Sequence, residues 1–263
     1  MAAKLRPAWR RPRKVHVQQE LLNKAGTKPK STRGGKRKGA GRPAKGPRAG
    51  VAHVTREVFK ASEPLHIVLR VLAVVGELRQ MDMYKALRAA TLTAARNGKM
   101  RIVHVSIQNT HIHLIVEAEN RLALSRGMQG FQISAAKNIN RTYSKAHKLD
   151  RRRRGRVFTD RYFSTVIETP HQARHALAYV LNNWRKHRED GTEKTRGWKM
   201  DLFSSGYSFF GWKDYNPSED WMGLPDAYDP LIVWIPKTWL LQEGWKRHGL
   251  IDPFEIPSTP RTQ

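Results

Sequence analysis

Two histidines separated by one residue are the first candidates for chemistry in this chain. His111 and His113 belong to the run HIHLIVEA at 111–118, and on a strand residues i and i+2 point to the same face. Two neutral imidazoles held side by side can ligate a divalent metal. The same spacing also occurs in ordinary surface or core histidine pairs, so the motif alone leaves both interpretations open.

A tyrosine followed four residues later by an asparagine is the second candidate group. The segment TPHQARHALAYVLNNWRKH at 169–187 predicts a helix that begins with a capping box formed by Thr169 and Gln172. Tyr179 lies off the apolar stripe of this helix, and Asn183 shares its face. An amide oxygen can ligate a metal, whereas a half-exposed structural tyrosine would explain the same pattern.

A nucleophilic tyrosine beside a metal site would indicate phosphoryl transfer. A metal can polarise a phosphoryl oxygen and stabilise the charge that develops there. The phenol, whose unperturbed pKa is about 10, must lose its proton on attack, and nearby cations favour that loss. A covalent phosphotyrosine then conserves the bond energy for rejoining.

The elements that must position these residues follow from apolar patterning. The order β-α-β-β-α-β-α is predicted, and its first six elements match the ferredoxin-like split βαβ arrangement. The expected fold class is therefore α+β: an antiparallel ferredoxin-like sheet with helices on one face, followed by a C-terminal catalytic helix and extensions. The predicted strands are 65–75, 101–108, 111–118 and 157–168, and the predicted helices are 77–97, one through 124–139, 170–187 and a short one near 237–248.

Composition restricts the class of protein. The net charge of +27, from 49 Lys and Arg against 22 Asp and Glu, favours a polyanionic partner such as nucleic acid, although a ribosomal-type basic protein fits as well. The absence of cysteine excludes disulfides, thiolate zinc sites and cysteine nucleophiles. No apolar run reaches the roughly 20 residues of a membrane span. We expect no membrane partner and a cytoplasmic, nucleoid-associated location.

Three zones are predicted along the chain. Residues 1–50 hold 16 Lys and Arg and a single acid, Glu20, and are expected to be a disordered basic DNA-binding arm. Its stretch RGGKRKGAGRPAKGPR resembles an AT-hook-like minor-groove segment around Arg42, with Ala40 where an arginine is usual; a flexible basic tail is the alternative. Residues 51–190 are the expected catalytic domain, and 191–263 a Trp-rich accessory segment.

A basic loop and two aromatic residues are further candidates for DNA contact. The run RRRRGR predicts a phosphate-binding loop, with a solvated charge run as the alternative. Tyr162 and Phe163 could stack bases, although their strand position also suits core packing for Phe163. His104 on the neighbouring strand is expected to be structural. The arginines of the loop are Arg151, Arg152, Arg153, Arg154 and Arg156.

The middle zone resembles the HUH single-tyrosine transposases, and especially the REP-associated tyrosine transposase group. The resemblance covers about 51–190, roughly half of the chain. It rests on the histidine pair after a strand and turn and on the Tyr-x-x-x-Asn motif of a late helix. The matching stretches are RIVHVSIQNTHIHLIVEAENRLALSRGMQGFQ (101–132), RGRVFTDRYFS (154–164) and TPHQARHALAYVLNNWRKH (169–187).

The resemblance implies a role for each candidate. His111 and His113 would ligate Mg²⁺ or Mn²⁺, and Asn183 would complete the metal site. Tyr179 would attack a scissile phosphate, leaving a 5′-phosphotyrosine and a free 3′-OH. The substrate would be single-stranded or hairpin DNA, and the protein would act as a homodimer or a monomer.

Two other functions fit parts of the sequence. A non-catalytic DNA-binding regulator derived from a transposase would use the same basic charge and would not need Tyr179. A two-histidine phosphoesterase would use paired H-x-T/S motifs, which His53-Val54-Thr55 and His104-Val105-Ser106 loosely match. That enzyme needs both motifs on paired central strands and no tyrosine.

Overall fold

A four-stranded antiparallel sheet organises the protein. The computed structural model describes residues 57–96, 98–216, 224 and 228–257. The strands are β1 (Leu65–Arg70), β2 (Met100–Ile107), β3 (His111–Ala118) and β4 (Phe163–Val166), in the order β2-β3-β1-β4. Because β3 pairs antiparallel with both β1 and β2, these three strands and the helix between β1 and β2 form a split βαβ unit. The predicted α+β ferredoxin-like fold is confirmed.

The helices divide between the two faces of the sheet. Helices α1 (Met81–Ala95) and α2 (Arg121–Ala146) pack on each other and on the sheet. The apolar residues of β1 that alternate with its polar ones, such as Ile67 and Leu69, are almost fully buried. Helix α3 (Pro170–Leu181) also packs on β2 and β3, but on the other face, which bears the histidines.

Two predicted strands are shorter than expected. The predicted strand 65–75 ends at Arg70, because Ala73–Val75 forms a 3-10 turn that closes at Gly76, whose φ of 78° favours glycine. In the predicted strand 157–168, regular pairing is confined to β4, and Phe158 makes only an isolated bridge to Val71.

The predicted helix 170–187 is divided in two. Its start matches the prediction, since the reciprocal capping box of Thr169 and Gln172 is formed. The helix stops at Leu181, and α4 (Asn183–Lys186) follows. Asn182 lies between them with φ −103° and ψ 12°, outside the helical region, and its Nδ2 donates to the backbone oxygen of Asp252 at 2.9 Å.

The C-terminal segment wraps around the domain as an irregular chain with short helices. They are α5 (Glu193–Arg196), α6 (Trp239–Gln242), and 3-10 turns at Gly206–Ser208 and Gly244–His248. The buried carboxylate of Glu117 on β3 pairs with Arg101 at 2.8 Å. It also accepts hydrogen bonds from the backbone nitrogens of Lys237 and Thr238. A strand carboxylate therefore anchors the start of α6.

Part of the predicted organisation lies outside the described residues. This applies to the basic arm at 1–50 with Arg42, and to His53. Within the described part of the chain, no helix combines the length and apolar character required to cross a membrane.

Candidate active site on the histidine face of the sheet

Strand pairing brings three histidines together. His111 and His113 project from β3 with ring centroids 4.7 Å apart, as their spacing predicted. The registers pair Val68 of β1 with His113, so His66, two residues earlier on β1, points to the same face. The Nε2 atom of His66 lies 3.0 Å from Nδ1 of His113, and the two rings stack at 5.2 Å.

These imidazoles are neutral at neutral pH. Desolvation by burial is the main cause for all three: it lowers the pKa of His113 to about 2 and the pKa values of His66 and His111 to about 4. Mutual repulsion between the rings lowers the pKa of His113 further. Neutral imidazoles retain a lone pair, which is the form that ligates a metal.

Tyr179 joins this group from the last turn of α3. Its ring centroid is 5.4 Å from that of His113 and 5.7 Å from that of His66. Burial raises the pKa of the half-buried phenol, so its deprotonation needs a nearby cation. Lys186 of α4 places its Nζ 4.8 Å from the centre of the tyrosine ring. The histidine pair and the phenol therefore converge within one chain.

Asn183 and His113 both have buried polar atoms without a hydrogen-bond partner. Asn183 is fully buried, and both polar atoms of its amide lack a hydrogen-bond partner, as does Nε2 of His113. Leaving a buried polar atom unsatisfied costs about 1–3 kcal/mol, and a bound cation with its water would remove that penalty. Two imidazoles and an amide oxygen are a donor set that a divalent metal accepts.

A broader arrangement of metal-ligating residues is absent where the structure describes the chain. There, no three side chains of the types His, Cys, Asp and Glu are placed to hold a metal together. The expected ligand set contains only two such residues, His111 and His113, because its third member is the amide of Asn183.

The sequence interpretation missed three residues of this site. His66 touches both His113 and Tyr179, Lys186 lies over the tyrosine ring, and His187 lies 5.4 Å from His111 between ring centroids. His66 could have been found once β1 was assigned as the neighbour of β3, because its position then shares the face of the histidine pair. His187 and Lys186 depend on the path of the chain after the helix break.

The basic loop contains arginines in different environments. Arg151, Arg152, Arg154 and Arg156 are exposed, and Arg153 is partly buried. Arg153 is tied into the loop, since it contacts Asn140 and donates from Nη2 to the backbone oxygen of Arg156 at 2.8 Å. Arg152 donates to the backbone oxygen of a residue in α2. Phosphate binding by the loop stays a prediction, with the exposed Arg151 and Arg154 among its accessible members.

Arg156 contacts the backbone of the segment that leads from the basic loop back to the sheet. It donates from Nε to the backbone oxygen of Phe158 at 3.2 Å and contacts the backbone oxygen of Thr159. The backbone nitrogen of Thr159 in turn donates to the oxygen of Arg70, at the end of β1. The basic loop therefore leads into the edge of the histidine face.

The remaining aromatic and histidine candidates are also placed. Tyr162 is buried, whereas Phe163 is 64% exposed, which excludes core packing for Phe163. His104 is buried, and its Nδ1 lies 3.1 Å from Oγ of Ser205. It is a structural residue, as expected.

The described domain is thus an α+β domain with a histidine–tyrosine site on one sheet face. Residues 62–183 match the family model described as "Transposase IS200 like". This part of the chain, somewhat less than half of it, is therefore similar to the IS200-like transposases.

The solved structures that are similar to this chain include two transposases. A REP-associated tyrosine transposase bound to a REP hairpin is 17% identical, with 60% of this chain and 84% of that chain covered and a TM-score of 0.42. A putative transposase from Deinococcus radiodurans R1 is 14% identical, with 54% and 96% covered and a TM-score of 0.33. No curated protein matches the chain.

Proposed function

We propose that this protein is a metal-dependent single-strand DNA endonuclease and transposase that cuts and rejoins DNA through a 5′-phosphotyrosine on Tyr179. One observation is the main support. The Tyr179 ring packs against His113 in the same chain, while Nε2 of His113 and the amide of Asn183 remain buried without a partner. The match of residues 62–183 to the IS200-like transposase model supports DNA transposition as the overall activity.

In this proposal, His111, His113 and Asn183 hold Mg²⁺ or Mn²⁺. When bound, the metal supplies Lewis-acid polarisation of a phosphoryl oxygen of the substrate. Histidine ligands alone would also accept Zn²⁺, so the choice among these ions is settled by a titration with each of them.

His66 has a defined part in the same site. Nδ1 of His113 and Nε2 of His66 lie 3.0 Å apart, and in this proposal Nδ1–H of His113 is the donor. In that tautomer, Nε2 of His113, which is buried without a partner, presents its lone pair to the metal. A ligating histidine commonly donates its other ring N–H to such an acceptor, which fixes the orientation of the ring.

Tyr179 performs the covalent step. Its phenol loses its proton, and the oxygen attacks the scissile phosphorus. A bond from phosphorus to the phenol oxygen forms while the bond to the 3′ oxygen breaks, and that oxygen takes up a proton to become the free 3′-OH. The reverse attack by a 3′-OH rejoins the strand. The Lys186 amine beside the ring favours the phenolate.

The substrate in this proposal is single-stranded or hairpin DNA. The exposed members of the basic loop and the arm around Arg42 would contact phosphates. Both sets are sequence-independent contacts that position the strand, so they would add affinity rather than choice of target.

A covalent adduct is the direct test. Labelled single-stranded oligonucleotides incubated with wild-type protein and Mn²⁺ should give a protein–DNA band on a denaturing gel. Tyr179→Phe should abolish the band and retain DNA binding, whereas Tyr143→Phe, a tyrosine of α2 outside the site, should keep it. His111→Ala and His113→Ala should lose cleavage and bind Mn²⁺ more weakly.

The same assay separates the proposal from a non-catalytic DNA-binding regulator. If wild-type protein binds DNA but forms no adduct under any divalent metal, and Tyr179→Phe behaves like wild type throughout, the regulator is the better description. A two-histidine phosphoesterase is disfavoured, because His104 lies buried against Ser205 and Phe209, where a substrate has no access.

A further inference from the structure

The histidine face of the sheet extends beyond the site onto an open surface. Helix α3 packs on β2 and β3, whereas part of the same face on β1 and β4 is solvent-accessible. We call this surface the open strip and define it by Val68, Arg70, Phe163 and Thr165. Arg70, Phe163 and Thr165 are exposed and Val68 is partly exposed.

Strand register places the open strip beside the site. Val68 is paired with His113 on one side and with Phe163 on the other. Residues directly opposite in antiparallel strands point to the same face, so His113, Val68 and Phe163 form one cross-strand row. With strands about 4.8 Å apart, the Phe163 backbone lies roughly 10 Å from that of His113.

A cation lies at the end of the strip next to the histidine pair. Arg70 is paired with His111, so its side chain shares the histidine face. A phosphate held at His111 would therefore lie within the field of this guanidinium.

Phe163 is unusual for its position. A phenylalanine with 64% of its surface exposed gains little from the hydrophobic effect in the free protein. Its cross-strand neighbour is the partly exposed Val68, and the exposed Thr165 and Arg70 share its face. A flat ring beside polar groups and a cation suits stacking on a base better than it suits a protein interface.

We infer that the open strip binds single-stranded DNA next to the scissile phosphate, with Phe163 stacking on one base and Arg70 contacting the backbone. This inference rests on the proposed function, since it assumes that the phosphate is held at the histidine pair. The occupant is single-stranded because the base faces of a duplex are already stacked on each other. The net charge of +27 complements the phosphates that the bases bring with them.

The test compares single-stranded and duplex affinity in full-length protein. In a Tyr179→Phe background, which leaves the DNA intact, fluorescence anisotropy should show that Phe163→Ala weakens binding of a mixed-sequence single strand about tenfold, the effect of losing one stack. Phe163→Trp should retain wild-type affinity. Duplex affinity should stay unchanged in both variants. Phe210→Ala, which removes another highly exposed phenylalanine, should have no effect on either DNA.

A photocrosslink locates the contact independently. Single strands carrying iodouracil should crosslink to Phe163, and mass spectrometry should identify the peptide that contains it. An equal loss of single-strand and duplex affinity, or a Phe163→Trp protein as weak as Phe163→Ala, would overturn stacking. A changed oligomeric state of Phe163→Ala with unchanged DNA affinity would assign the strip to a subunit contact instead.

The adduct assay keeps this inference separate from the proposed function. Phe163→Ala protein with Tyr179 intact should still form the covalent adduct when DNA is saturating. Suppose that wild-type protein forms the adduct and Phe163→Ala has wild-type affinity for single strands. The inference that the open strip binds DNA is then wrong, whereas the proposed nuclease function is supported. If no variant and no wild-type protein forms an adduct, the nuclease itself is wrong.

Discussion

In a neutral imidazole, one ring nitrogen carries the proton and the other carries a free lone pair. In His113, Nδ1 is engaged by His66 and Nε2 is buried without a partner. In our proposal, Nδ1 carries the proton and donates to His66, so Nε2 has the lone pair that would ligate the metal. His66 is thus a positioning residue in our proposal, since it acts on the metal only through His113.

We expect His66→Phe to weaken Mn²⁺ binding roughly 10–100-fold, the usual effect of losing an outer-shell partner. The phenyl ring preserves the stacking on His113 but offers no acceptor. His66→Gln should stay much closer to wild type, because its amide oxygen can accept from Nδ1–H of His113. Calorimetric titration of Mn²⁺ into the DNA-free protein measures both affinities.

Two controls show whether the weaker Mn²⁺ binding comes from the loss of the hydrogen-bond acceptor at residue 66. His171→Phe changes a histidine that contacts only His248 among the aromatic neighbours, and it should leave Mn²⁺ affinity unchanged. Thermal melting should show that all variants are folded. Equal weakening by His66→Gln and His66→Phe would contradict the acceptor role and leave only a packing role for His66.

At the scale of elements, the C-terminal segment holds the chain after α3 in place. Arg185 of α4 donates from Nε to the backbone oxygen of Pro253 at 2.7 Å and pairs with Asp190 at 3.0 Å. Arg174 of α3 forms a two-pronged ion pair with Glu255, each contact 2.7 Å. The segment therefore supports the elements that bear Tyr179 and Asn183.

Sequence patterns predicted those features of the fold that depend on residues close together in the chain. Alternation along 111–118 placed His111 and His113 on one face, and the capping box of Thr169 and Gln172 fixed the start of the helix. The helix break at Asn182 could not be predicted in this way, because its acceptor on Asp252 lies 70 residues further along the chain.

The same distinction applies to the site. Tyr179 and the histidine pair were accessible from spacing and resemblance. The contribution of His66 depends on the register of β1 against β3, which a single strand does not encode. The exposure of Phe163 depends on which half of the sheet α3 leaves uncovered, so alternation alone could not separate stacking from core packing.

His104 links β2 to the C-terminal segment and gives the fold a defined response to acid. Burial lowers its pKa to about 3, whereas in the unfolded chain it is about 6.5. Below pH 6.5 the unfolded state therefore binds a proton that the folded state does not, and stability falls with pH. Its contribution is complete above pH 6.5 and is lost as the pH falls toward the folded value.

For His104→Gln we expect a flatter dependence of unfolding free energy on pH. The variant is less stable than wild type at pH 7, because its packing against Phe209 changes. From pH 7 to pH 5 the wild-type protein should lose on the order of 2 kcal/mol more than the variant. Urea unfolding at both pH values measures this difference. Parallel losses in the two proteins would show that His104 does not titrate on unfolding.

For the whole molecule, positive charge is distributed unevenly along the sequence. Residues 1–50 contribute 16 basic residues against one acid, or +15 of the total +27. The metal-binding and tyrosine candidates, in contrast, all lie between 111 and 183, within the part of the chain that matches the transposase family. More than half of the excess positive charge thus belongs to a part of the chain that holds none of these candidates.

The candidate site is complete within one chain. The Tyr179 ring reaches His113 and His66 of its own sheet, and α3 is held there by contacts with its own C-terminal segment, such as the Arg174–Glu255 pair. This arrangement requires no tyrosine from a second subunit, whether the protein is a monomer or a homodimer.

A mixing experiment tests this arrangement. His113→Ala retains Tyr179, and Tyr179→Phe retains the histidines, so neither should form the covalent adduct alone. Because each chain uses its own tyrosine, an equimolar mixture of the two should form no more adduct than either protein separately, and mixing either with wild type should leave the wild-type adduct. Recovery of adduct on the His113→Ala chain in the mixture would show instead that the tyrosine acts on the histidines of a partner, with α3 exchanged between subunits.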